Sequence, residues 1–153
     1  MVAAVIWAIA LPLAALGRAR PQVPTAAWIG TTFVYAAGAA VCHQRPERSF
    51  QLAGQPLPVC ARCLGIYGAA AVAALVFSAS RRKPADGRGS VDARARARSA
   101  AFLAALPTAA TVMWEWRGGG TLSNLVRAIA GVPLGLFVAW VVAAAGHPDA
   151  QSE

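Results

Sequence analysis

The residues able to do chemistry in this chain sit close together. Cys42-His43-Gln44-Arg45-Pro46-Glu47-Arg48-Ser49-Phe50 is followed by Cys60-Ala61-Arg62-Cys63, so all three cysteines and one of the two histidines lie between positions 42 and 63. Thiolate and imidazole are the ligands zinc prefers, and three cysteines with one histidine make a closed tetrahedral set. The two-residue gap between Cys60 and Cys63 lets one turn present two sulfurs to a single ion. Cys42 and His43 are adjacent, which on a regular helix separates their directions by about 100°. At a fraying helix end before Arg45-Pro46, both can still turn inward. Pro46, Pro56 and Pro58 stiffen the connection, and Gly54 permits a tight turn. The expected site is a zinc knuckle of Cys42, His43, Cys60 and Cys63.

Two other readings fit the same residues. Cys60 and Cys63 can form a redox pair at the start of a helix, where the helix terminus and Arg62 favour a thiolate. Membrane thiol oxidoreductases carry further cysteines as an electron relay, and here Cys42 alone remains for that role. The cysteines can also be small buried residues at a helix junction, with no chemistry. The readings differ in consequence. A zinc ion closed by four protein ligands is structural, whereas a released His43 would be free to act as a base beside three thiolates.

A second group lies further on, in Ser123-Asn124-Leu125-Val126-Arg127. Ser123 is suited to cap a helix, since its hydroxyl can take an otherwise unpaired amide. Arg127 then falls one turn into an apolar segment, where an unpaired cation is costly. Glu115, at the end of the preceding apolar segment, is its expected partner. Arg127 together with Arg45, Arg48 or Arg62 can instead hold a carboxylate or phosphate from a substrate or lipid. The expected polar pocket comprises Glu47, Arg48, Arg62, Glu115, Asn124 and Arg127. Gly131 and Gly135, four residues apart, suit close helix packing. Trp114 and Trp116 suit a membrane interface.

What must position these residues follows from composition. Of the 153 residues, 58% are hydrophobic and 13% charged, and the mean hydropathy is +0.52. Soluble domains carry about 25% charged residues, so the chain lacks the polar surface to face water alone. Segments 1–16, 25–42, 60 or 63 to 80, 99–116 and 124–146 approach the length that crosses a bilayer as a helix. The first is short and contains Pro12. The expectation is a single all-α integral membrane domain over 1–153, a polytopic bundle of about five transmembrane helices.

The net charge of +8 bears on topology. Arg81, Arg82, Lys83, Arg88, Arg94, Arg96 and Arg98 crowd a loop at 81–98, and Arg18 and Arg20 lie in the loop after the first segment. The positive-inside rule places both loops in the cytoplasm. With five spans the N-terminus is then outside, the C-terminus cytoplasmic, and the Cys/His segment on the outer face. A cleaved signal peptide at 1–16 is disfavoured, because it lacks a charged leading region. The basic loop lacks the aromatic residues that stack on bases, which argues against nucleic acid; anionic lipid headgroups are its expected contact. The segment 147–153 is expected to be an idle tail.

These motifs also carry a resemblance. Cys42, His43, Pro46, Glu47, Arg48, Ser49 and Phe50, then Pro58 through Cys63 with Gly65, Ile66 and Tyr67, resemble the first block of the bacterial and archaeal membrane family called domain of unknown function 2085. Ser123, Asn124, Arg127, Gly131 and Gly135 resemble its second block. The resemblance covers about 42–135. The family often has an Asp-Gly pair before the second block, where this chain reads Thr111-Val112-Met113-Trp114-Glu115. Either Glu115 replaces that aspartate, or this chain lacks its role. The resemblance implies a membrane site rather than a named reaction.

The expected protein is therefore integral to a bacterial cytoplasmic membrane, with a zinc site beside a polar pocket. That pocket would take an anionic or amphiphilic small molecule or a membrane lipid. A thiol-disulfide oxidoreductase using Cys60 and Cys63, and a non-catalytic assembly factor stapled by its knuckle, are the alternatives.

Overall fold

Apolar runs in hydrocarbon must satisfy their backbone groups internally, and a helix does this within one segment. All five apolar segments are helical in the computed structural model, which describes residues 2–20, 22, 24–79 and 91–145. They are α1 (Val2–Ala19), α2 (Thr25–Val41), α3 (Ala61–Ala79), α4 (Val91–Trp116) and α5 (Asn124–Ala145). Helix α1 runs through Pro12 and reaches three residues past the expected end. Helix α4 begins well before position 99, so Arg94, Arg96 and Arg98 stand on a helix rather than in a loop. Alanine and arginine both favour helix, which explains the extension. Positions 81–90 of the basic segment, and the 147–153 tail, lie outside the described residues.

Between α2 and α3 the chain forms a structure with no counterpart in the expected spans. A 3-10 turn at Pro46–Arg48 leads into a short antiparallel hairpin of β1 (Gln51–Leu52) and β2 (Gln55–Pro56). Its two turn residues, Ala53 and Gly54, both have positive φ, at 51° and 76°. That is the type I′ geometry that matches strand twist, and glycine adopts it without a Cβ penalty.

The tightest helix contact joins α3 and α5. A Cβ at Gly65 would overlap the carbonyl of Ala128, one at Gly131 the carbonyl of Arg62, and one at Gly135 the carbonyl of Ile66. These contacts set α3 and α5 side by side, running in the same direction. Helix α4 runs the opposite way along α5, and Thr108 Oγ1 donates to the Ala130 carbonyl at 2.8 Å. Helix α1 packs on α2 and α3, with Leu11 fully buried and Trp7 edge-on to Tyr67 at 6.1 Å.

The bundle is apolar on its outside. Phe33 is 69% exposed and Phe102 67%, while the buried positions of α5 are alanines, glycines and Arg127. Such a surface suits lipid, and small residues inside let backbones approach in place of a hydrophobic driving force. Among the described residues, three helices, α1, α3 and α5, are long and apolar enough to cross a membrane. Helix α2 is apolar at 17 residues, and α4 carries charge along its first turns.

The α3–α5 contact predicts that Gly131→Leu lowers stability by at least about 1–3 kcal/mol. The check is the midpoint of unfolding in detergent, compared with Gly68→Leu, where a Cβ meets nothing within 4 Å.

Candidate functional site

Helix α2 stops because Cys42 leaves helical geometry, with φ −148° and ψ 142°, while its amide still donates to the Gly38 carbonyl. In extended backbone, neighbouring side chains point in opposite directions. Cys42 is buried and His43 is exposed. His43, though exposed, lines the same cavity as the three cysteines, and it stands outside the close group of sulfurs described next. Gln44 then turns the chain with a φ of 45°. Its Nε2 donates to the carbonyls of Tyr35 at 2.6 Å and Pro58 at 2.7 Å. The Tyr35 hydroxyl donates to the Pro56 carbonyl at 2.6 Å.

This clamp lays the strand leading to α3 against the end of α2. The Cys60 amide donates to Cys42 Sγ at 3.2 Å, and Cys63 follows one turn into α3. The sulfurs of Cys42, Cys60 and Cys63 all lie within 4.8 Å of one another, and all three are free thiols. A metal ion bound tetrahedrally at about 2.3 Å sets sulfurs about 3.8 Å apart. The group is thus close enough to hold an ion with little movement. The Cys60 thiol is pulled down to about 5. The leading cause is the hydrogen bond from the Cys63 thiol, which outweighs burial; the amides of Cys63 and Arg62 and the Cys42 thiol add to it. The neighbouring thiols of Cys63 and Cys42 thus favour the thiolate form of Cys60.

The second group gathers around Glu115, at the end of α4. Arg127 Nε and Nη2 both reach Glu115 Oε1 at 2.7 Å. These side chains are only 4% and 5% exposed. The other carboxylate oxygen faces two more guanidinium groups at longer range, Arg48 at 3.7 Å and Arg62 at 3.6 Å. Arg62 also donates to Thr111 Oγ1 at 3.2 Å, and its buried Nε has no partner. Arg127 Nη1 donates to Asn124 Oδ1 at 2.8 Å, and Asn124 Nδ2 donates to the Ser49 carbonyl at 3.1 Å. Ser123 caps α5, accepting from the Val126 amide at 3.3 Å.

Of the residues expected in the pocket, Arg48, Arg62, Glu115, Asn124 and Arg127 come together. Glu47 is exposed and borders a neighbouring hollow of about 490 Å³ that Arg48, Asn124 and Arg127 also line. The two groups meet on α3, where Arg62 lies between Cys60 and Cys63.

The chain matches the family model described as predicted membrane protein (DUF2085) over residues 42–141. It belongs to this family. The match starts at the first thiol and ends inside α5 at position 141, so it contains every residue of both groups. An uncharacterised protein of Methanocaldococcus jannaschii is 43% identical over 44 residues, which is 29% of this chain and 28% of that protein. One from Methanothermobacter thermautotrophicus is 56% identical over 27 residues, 18% of this chain and 24% of the relative. The chain thus matches only about a quarter of the length of each. Both relatives are archaeal, so they lend no support to a specifically bacterial membrane. No solved structure matches the chain.

Within this DUF2085 member, sequence reasoning missed Gln44, Tyr35 and the Ser49 carbonyl, which hold the thiols and α5 in place. The positive φ of Gln44 has no sequence signal. The short Gln51–Pro56 hairpin had one in Gly54, which permits its tight turn.

Two expectations follow. In chelator-treated protein, alkylation of Cys60 should stay fast down to about pH 6 and fall by half near pH 5, read by peptide mass spectrometry; an ordinary thiol falls off below about 8.5. Because the folded value is lowered, the stability Cys60 contributes is complete above the unfolded value and is lost as pH drops through about 5. Separately, Glu115→Gln leaves three guanidinium groups facing no carboxylate and should cost about 3–5 kcal/mol. The Glu115→Leu/Arg127→Met double variant should recover part of that loss in the same detergent unfolding assay.

Proposed function

We propose that this protein is an integral membrane protein that binds zinc through Cys42, Cys60 and Cys63 at the outer membrane face. A polar pocket of Arg48, Arg62, Glu115, Asn124 and Arg127, with Glu47 at its rim, lies beside the metal. The observation that carries the reading is the convergence of three sulfurs from two segments within 4.8 Å. Thiolates are soft ligands that favour zinc over magnesium, calcium or manganese. The ligands must lose their protons for metal to bind, and the surroundings of Cys60 lower its thiol in that direction.

Three cysteines would hold the ion, and a fourth ligand would come from water, an incoming group or His43, which lines the same cavity. When bound, zinc would supply Lewis acidity there. The chain's own residues fix the three sulfurs through the Gln44 clamp and place the arginines alongside.

The outer-face placement rests on charge distribution. Arg94, Arg96 and Arg98 lie at the end of α4 opposite Glu115, next to the basic residues at 81–88. The positive-inside rule puts that end in the cytoplasm and the thiols outside. The arginines at the site end count for less, because Arg48, Arg62 and Arg127 are gathered around Glu115.

A second reading has Cys60 and Cys63 as a redox pair, and the lowered Cys60 thiol favours it. Elemental analysis of detergent-purified protein with a free-thiol count separates the two. The metal reading expects about one zinc per chain, lost in Cys60→Ser and kept in His43→Ala. No metal, with two thiols blocked until reductant is added, would replace it with the redox reading.

A further inference from the structure

A cavity of about 540 Å³ lies among the end of α2, the first turn of α3 and the last turns of α4, within the size range of small-molecule sites. Its described lining includes the three cysteines, His43 and four arginines, Arg45, Arg48, Arg62 and Arg127, but no carboxylate residue. Glu115 instead borders a smaller hollow on the other side of Arg48 and Arg127.

The charges do not balance. Arg127 takes one oxygen of Glu115 fully, at 2.7 Å through two nitrogens. The other oxygen is left to Arg48 and Arg62 at distances too long for strong hydrogen bonds. Three guanidinium groups thus share one carboxylate, and two positive charges are in excess. Arg62 is 14% exposed, and its buried Nε has no partner. A cation held this way is costly unless something else supplies the missing acceptor. A divalent ion on three thiolates would carry one negative charge, which Arg45 at the cavity wall offsets, so the excess of two remains.

We infer that this cavity binds the phosphate monoester head of a membrane amphiphile, with Arg48 and Arg62 as its principal contacts. This rests on the proposed membrane placement and names the ligand class of the same pocket. A phosphate monoester carries −1.5 to −2 charges near neutral pH, which matches the excess, whereas a carboxylate neutralises only half. Planar guanidinium groups with unspent donors suit its several oxygens. The tail has a place as well. Val41, Val112 and Trp116 line the same cavity, and Val41 and Trp116 are exposed on the face that suits lipid. The head therefore reaches the arginines from the side of the bundle while the chain stays in hydrocarbon.

The test is binding of dodecyl phosphate to the full chain in phosphatidylcholine nanodiscs, with metal content measured on the same samples. Dodecyl phosphate should bind saturably at about one per chain, and dodecanol should not. Inorganic phosphate should compete only at concentrations about 100-fold higher, for want of the tail. Arg62→Gln should weaken binding about tenfold or more. Arg48→Gln, nearer the surface and less disruptive to folding, should do likewise, and Arg96→Gln at the far end of α4 should change nothing. Equal binding of dodecanol, or full binding in both Arg62→Gln and Arg48→Gln, overturns the inference. Inorganic phosphate as potent as dodecyl phosphate overturns the amphiphile and leaves a soluble phosphate source. Arginine-dependent binding in samples without metal supports this inference while defeating the zinc reading, and metal without such binding does the reverse.

Discussion

The site end of this bundle is organised by one buried carboxylate. Glu115 at the end of α4 fixes Arg127 on α5, attracts Arg62 on α3 and draws in Arg48 from the 3-10 turn. Asn124 extends the network from Arg127 to the Ser49 carbonyl. Three helices and a loop thus meet on a single negative charge. Directional contacts of this kind matter more where apolar surface cannot drive helices together, since lipid is as apolar as their side chains. Oxygen-to-guanidinium geometry also sets the register of α4 against α5, because Glu115 meets Arg127 where Thr108 meets the Ala130 carbonyl.

Close backbone approach makes the network possible. Gly131 lies on the Arg62 carbonyl and Gly65 on that of Ala128. Arg62 and Arg127 therefore project from helices whose backbones touch, and both can reach one carboxylate on α4. Larger residues would separate the helices and pull the guanidinium groups apart. The thiols depend on the same first turn of α3. Cys60 and Cys63 flank Arg62, so the thiol group and the arginine cluster share their backbone support. A shift of α3 along α5 would disturb both groups together.

The parts legible in the sequence were those with a local chemical signature. The apolar runs announced the helices, the cysteine spacing announced the thiol group, and a lone arginine one turn inside an apolar segment pointed to Glu115. Gly131 and Gly135 were readable as packing residues. Arg48 and Arg62 were assigned to the polar pocket, yet their shared dependence on Glu115 was hidden, since it joins positions 53 to 67 residues apart. The place of His43 was less legible: an extended Cys42 separates the two side chains, so His43 lines the same cavity without joining the close group of sulfurs. The Gln44 clamp was invisible because its acceptors are backbone carbonyls, which any residue supplies.

The absence of His43 from the thiol group changes the chemistry available. Four protein ligands would seal an ion and leave the arginines merely adjacent. On the zinc reading, three would leave a place for another ligand, and Arg48, Arg62 and Arg127 line the same cavity as the thiols. An anion entering that cavity would meet the arginines beside the sulfurs. Neither element alone requires a ligand, since thiol clusters can be structural and arginine clusters can be held by their own carboxylates. Here the carboxylate is one charge against three, and the thiols and arginines line one cavity. That shared lining is the physical basis of the proposed binding site.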